Sequence, residues 1–183
     1  SGAGFYTLAL AKKVGPYGRV FAIDTHPDFL RRVKNEAVKL GHAQVEVIQG
    51  DLETPKGSGL VTASVDRIII ANTLFTIDHV GEIVKEAKRV LKHDGKVVVI
   101  DWNESYGQIG PHPEHVVSKD EAREVFEKEG FHLESFIDAG SHHYGMLYVL
   151  THTPVPGELK NVGYNIEEKR SKKSSKSIFS IFN

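Results

Sequence analysis

The chain has 183 residues, 40% of them hydrophobic and 26% charged, so one compact soluble domain with a sizeable core is the natural expectation. Basic and acidic residues nearly balance at 23 against 24, which excludes a chain drawn as a whole to nucleic acid or to a membrane surface. There is no cysteine, hence no disulfide framework and no thiolate chemistry, and no apolar run approaches the ~20 residues that span a bilayer. A cytoplasmic setting is expected.

In chain order, Gly2-Ala3-Gly4 is followed by a helical stretch from Phe5 to Val14, which Gly15-Pro16-Tyr17-Gly18 breaks. Arg19 to Ile23 is a short apolar strand ending at Asp24. Pro27 opens a helix to Leu40, with Phe29, Leu30, Val33, Ala37 and Leu40 at helical spacing and Gly41 beyond it. Gln44 to Ile48 alternates as a strand and ends at Gly50-Asp51. Residues 53–63 read as a loop, and Val65 to Ala71 as a β-branched strand. His79 to Lys92 is an amphipathic helix with Ile83, Val84, Ala87, Val90 and Leu91 on one face. After the His93-Asp94-Gly95 turn, Lys96 to Asp101 is an apolar run of the kind buried on both sides of a parallel sheet.

A loop rich in Gly, Pro and His leads to Ser118, whose Ser-Lys-Asp-Glu sequence is a capping box for a helix reaching about Glu129. Phe131 to Ile137 and Tyr144 to Thr151 close as an antiparallel strand pair. From Pro154 the pattern stops. The last fifteen residues carry five basic side chains and no acidic one, so residues 154–183 read as a disordered basic tail behind a domain of residues 1–153. Strands alternating with helices predict an α/β fold: a mostly parallel sheet with helices on both faces.

In such sheets ligands bind beyond the carboxyl ends of the strands, so the residues there are the candidates. Gly2 and Gly4 allow close backbone approach just ahead of a helix N-terminus with free N–H groups. Asp24, with Thr25, stands where a carboxylate accepts hydrogen bonds from ribose hydroxyls, although it also reads as a helix cap. Asp51 and Leu52 are placed against an adenine edge, and Asn72 against the reactive end of a ligand. Each alone also reads as an ordinary turn; all four at ordered strand ends read as a binding site.

Those residues carry a resemblance. SGAGFYTLALAKKVGPYGRVFAID resembles the glycine motif of class I S-adenosylmethionine-dependent methyltransferases and its continuation, with Gly2 and Gly4 matching the second and third glycines. QGDLE resembles that family's acidic adenine-contacting motif at Asp51. SVDRIIIANTLF and EAKRVLKHDGKVVVIDW are similar to the fourth and fifth strands of small-molecule methyltransferases such as those of quinone biosynthesis. The likeness covers about residues 1–151. It implies a Rossmann-like class I fold, S-adenosylmethionine as cofactor, and binding through Gly2, Ala3, Gly4, Asp24, Thr25, Asp51, Leu52 and Asn72.

The family's first glycine and first strand have no counterpart here. The chain opens on Ser1 with Met146 as its only methionine, so it reads as truncated within the glycine motif, leaving a gap in the sheet.

Methyl transfer needs an aligned acceptor and, for acidic acceptors, a base. Asp101, His112 and His143 are the candidates, with His115 and His142 beside the last two. Asp101 equally reads as a strand-end turn former, and Trp102 as a pocket wall or as core. His112, Glu114 and His115 could serve as N/O metal ligands, but a base role is favoured and no metal is expected. The expected partner is a small-molecule methyl acceptor, with no clear nucleic-acid partner. Two other readings are a methyltransferase-like scaffold without catalysis and an NAD-dependent oxidoreductase; against the latter, Thr7 stands where its third glycine belongs.

Overall fold

The computed structural model describes residues 2–107 and 109–150, and the backbone of 177–182. Helices α1 (Phe5–Val14) and α2 (Pro27–Lys39) flank strand β1 (Arg19–Asp24), followed by β2 (Val45–Gln49) and β3 (Val65–Ala71). A 3₁₀ turn at Leu74–Thr76 leads to α3 (Val80–Val90), which runs directly into β4 (Leu91–Trp102). Then come α4 (Lys119–Lys128), the antiparallel strands β5 (Phe131–Ile137) and β6 (His143–Leu150), and β7 (Ser177–Phe182). They form one seven-stranded sheet of order β2-β1-β7-β3-β4-β6-β5, parallel through β4 and antiparallel beyond.

Each helix lies where its apolar spacing sends it. Pro27 starts α2 with its φ already helical, and Leu30, Val33 and Ala37 face inward. Val33 and Ala37 meet Ala11 of α1 and Val20, Ala22 and Val45 of the sheet in a small core on one face. On the other face, Ile83, Val84, Ala87 and Val90 of α3 join Ala122 and Phe126 of α4, Ile68, Ile70, Val97 and Val99 of the sheet, and Tyr148. The expected capping box forms: Glu121 N–H donates to the Ser118 hydroxyl and the Glu121 carboxylate accepts from Ser118 N–H.

The structure departs from the sequence reading in two places. The turn at His93–Gly95 does not separate helix from strand; it is an irregularity inside β4. Val65 pairs with Leu91 and Arg67 with Lys96, so β4 bulges between them, with Asp94 at φ 59°.

The second departure is the end of the chain. The expected disordered tail gives way at Ser177–Phe182 to a strand in the middle of the sheet, parallel to β1 on one side and β3 on the other. Ile178, Phe179, Ile181 and Phe182 are β-branched and aromatic, the types that favour strands, and the slot between β1 and β3 offers two open ladders. The gap implied by the resemblance is thereby occupied. The rest of the expected tail, residues 154–176 and Asn183, lies outside the described residues. Among the described residues no helix is long and apolar enough to cross a membrane.

Candidate active site

Asp24 closes β1 and anchors the crevice. It is 7% exposed, and its two oxygens accept from separate amides: Oδ1 from His26 N–H (2.9 Å) and Oδ2 from Gly2 N–H (3.2 Å). Burial alone would push its carboxyl up, but its hydrogen-bond donors outweigh burial and hold it below the usual carboxylate range. It is therefore ionised at neutral pH.

The glycine loop is tied to this carboxylate. Gly2 and Gly4 both have positive φ, 50° and 83°, and a Cβ on Gly4 would press to 3.0 Å from Val33 of α2. Gly4 is the cap of α1 and carries no side-chain acceptor of its own for the amides of the helix's first turn. Ala3 is exposed between the two glycines.

At the next strand end, Gly50 N–H donates to the Asp24 carbonyl (3.1 Å), which joins the ends of β1 and β2. A Cβ at Gly50 would run into the Gly57 carbonyl oxygen. Asp51 is exposed and folds its own loop by accepting Glu53 N–H at 3.0 Å. Leu52 is 7% exposed and lies against the main core. Together Asp24, Thr25, Asp51 and Leu52 line a cavity of about 340 Å³ whose far wall is Thr73, Thr76 and Ile77. Sequence reasoning missed Glu53, Thr76 and Ile77. Glu53 was readable as the second acid of the Asp-Leu-Glu run, whereas the turn that carries Thr76 and Ile77 has no sequence signal of its own.

Asn72 follows β3 in the left-handed conformation, φ 51°, uncommon for a residue with a side chain. Its Oδ1 is buried and has no hydrogen-bond partner among the described residues. Next to it, Asp101 at the end of β4 is 2% exposed. Its Oδ2 accepts from Thr73 N–H (2.9 Å) and Leu74 N–H (2.8 Å), and its Oδ1 from Trp102 N–H (2.9 Å). Burial raises its carboxyl above the usual range, with these amides and His143 opposing. Both oxygens are engaged in holding the turn after β3.

The other two candidates are divided by the pleat. Asp101 pairs with Tyr144 and Trp102 with His143, so Asp101 and His143 project from opposite faces of the sheet. His143 packs tilted against Trp102, with ring centroids 4.3 Å apart and planes at 41°, and its Nε2 is buried without a partner among the described residues. Burial lowers its pKa, so the ring is neutral at pH 7. His112 is exposed and lines a second, larger cavity of about 850 Å³ between the turn after β3 and the start of α4. That cavity shares Thr76 and Ile77 with the first. Its Nδ1 is 3.8 Å from a Glu114 oxygen, and among the described residues no group of three or more His, Asp or Glu side chains could hold a metal ion.

Comparison with known proteins accords with this geometry. The profile described as a methyltransferase domain matches residues 1–144. A demethylmenaquinone methyltransferase of Lactobacillus johnsonii is 30% identical over 108 residues, covering 56% of this chain and 41% of that protein. The corresponding protein of Bacillus cytotoxicus is 31% identical over 104 residues, with 56% and 42% covered, so this chain spans about two fifths of the length of these relatives. Among solved structures, a SAM-dependent methyltransferase from Aquifex aeolicus aligns with a TM-score of 0.74 at 30% identity, covering 82% of this chain and 78% of the other.

Proposed function

The chain belongs to the S-adenosylmethionine-dependent methyltransferase family, and on that premise we propose that it transfers the sulfonium methyl group to a small-molecule acceptor in the cytoplasm. The observation that carries the reading is the cavity of about 340 Å³ at the carboxyl ends of β1 and β2, with an ionised Asp24 on one side and Asp51 and Leu52 on the other. An apolar wall flanked by two carboxylates fits an adenosine: a flat base against Leu52 and ribose hydroxyls toward Asp24. Outside the lining of that cavity, we assign the first turn of α1 to the carboxylate of the same cofactor and Asn72 to its ammonium group. Bound there, S-adenosylmethionine supplies an electrophilic methyl group on a positively charged sulfur.

The protein's part is positioning and dehydration. Asp24, Asp51 and Leu52 would hold the cofactor, and its sulfonium group would serve as the leaving group for the acceptor's lone pair. Of the three residues considered for chemistry, His112 borders the larger cavity, across Thr76 and Ile77 from the cofactor, and is the one we assign to taking the acceptor's proton. Asp101 acts through the turn it holds, keeping Thr73 and Thr76 in place. His143, neutral and packed against Trp102, is assigned to orienting the loop after β4. A nicotinamide cofactor fits less well, since Asp51 has no counterpart role there.

Isothermal titration with S-adenosylhomocysteine tests the reading, with NAD as the control ligand. Binding of S-adenosylhomocysteine is expected, weakened about tenfold or more by Asp24→Ala through the loss of charge-assisted hydrogen bonds. Binding of NAD in its place overturns the assignment.

A further inference from the structure

The larger cavity has a chemical bias of its own. Its walls are apolar, with Phe75, Ile77 and Val80 on one side and Val116, Val117 and Val125 on the other. Around them stand four carboxylates, Asp78, Glu114, Glu121 and Glu124, with His112 and His115, and among the described residues neither lysine nor arginine lines the space. The cations nearest in sequence are engaged elsewhere. Lys119 Nζ lies 5.2 Å from the Phe136 ring, Arg123 Nε binds Glu127 at 2.7 Å, and Lys85 Nζ binds Glu82 at 2.6 Å. Of the four carboxylates, Glu121 is held by the Ser118 cap and Glu114 stands near His112. Asp78, just before α3, and Glu124, on α4, both line the cavity and make no ion pair among the described residues.

A cavity of about 850 Å³ takes a molecule larger than a simple metabolite fragment, and its walls favour an apolar body. Its unmatched negative charge selects among such bodies: a cation gains from two unpaired carboxylates, and an anion is repelled by four. The carboxylates lie at the exposed mouth, so the selection acts at modest strength and is weakened by salt.

Resting on the methyl-transfer reading, we propose that the acceptor is an amphiphilic cation: an apolar, ring-sized body bearing a positively charged nitrogen. The body packs between Phe75, Val80 and Val125. The charged nitrogen sits between Asp78 and Glu124 as a recognition group, separate from the atom that receives the methyl group, which lies toward the Thr76–Ile77 wall.

The test uses the full chain saturated with S-adenosylhomocysteine at low ionic strength, titrated with tryptamine, tryptophol and indole-3-acetate, which share a ring and differ in charge. Tryptamine is expected to bind about tenfold more tightly than tryptophol, with indole-3-acetate weakest and the preference shrinking as salt is added. The D78N/E124Q double variant is expected to lose the preference for the amine while binding S-adenosylhomocysteine unchanged. The inference is overturned if the alcohol or the acid binds as well as the amine, or if the preference survives in the double variant. It is equally overturned if S-adenosylhomocysteine binds and none of the three probes does. If S-adenosylhomocysteine itself does not bind, the methyl-transfer reading falls, and this inference with it.

Discussion

The two cavities meet at Thr76 and Ile77, yet they are built by opposite means. The cofactor crevice is made largely of backbone: amides of Gly2 and His26 on Asp24, the Gly50 N–H on the Asp24 carbonyl, and glycines where a side chain would collide. The acceptor cavity is made of side chains on the turn after β3, the loop before α4 and α4 itself, with its charges facing water. A backbone-built site tolerates few substitutions and is the same for every member that binds one cofactor. A side-chain-built site can be rewritten residue by residue without disturbing the sheet.

The contrast can be broken or sharpened by experiment. The largest effect is expected from deleting residues 177–183, which removes β7 and separates β2-β1 from the rest of the sheet. Cooperative thermal unfolding and S-adenosylhomocysteine binding should both vanish; a deletion variant that still binds would show that the crevice does not depend on the central strand. Next is Gly50→Ala, whose new methyl group meets the Gly57 carbonyl. A loss of about 3 kcal/mol by urea unfolding is expected, with weakened cofactor binding.

Glu86 supplies a third test. It is 4% exposed on α3, accepts from Ser58 N–H and Oγ, and is held by Arg89. Burial pushes its carboxyl up, but those bonds prevail and leave it below the usual range. A carboxyl lowered on folding stabilises above its unfolded pKa, and that stability is lost as the pH falls through the folded value. Glu86→Gln should therefore cost about 2 kcal/mol at pH 7 and flatten the acid limb of the stability curve, read by denaturant titration at a series of pH values. The smallest effect belongs to Glu124→Gln at the acceptor mouth, within about 0.5 kcal/mol of the parent in the same assay. A larger loss there would erase the distinction between the two cavities.

The same division decides what could be read in advance. Asp24, Asp51 and the glycines were legible because strand ends and positive-φ turns leave local marks in the chain. The helices α1 to α4 were legible because their apolar spacing and caps are local too. Asp101 was legible as a strand-end turn former, but only the fold reveals that the amides it holds include those of Thr73 and Leu74 after β3. Nor could sequence show that His143 stands across the sheet from Asp101, since that follows from the pairing of Trp102 with His143. β7 escaped for a similar reason. Its six residues follow a lysine- and serine-rich stretch, and their partners in β1 and β3 lie far back in the chain.

That placement of β7 has a consequence for how the protein comes into being. Of the described strands it is the last to leave the ribosome, yet it is the one that joins the two halves of the sheet. Within this chain, β7 is the common neighbour of β1 and β3, so closing the sheet means bringing together segments far apart in the sequence. Such long-range closure is slow. The sheet's assembly is thus paced by the longest-range pairing the chain contains.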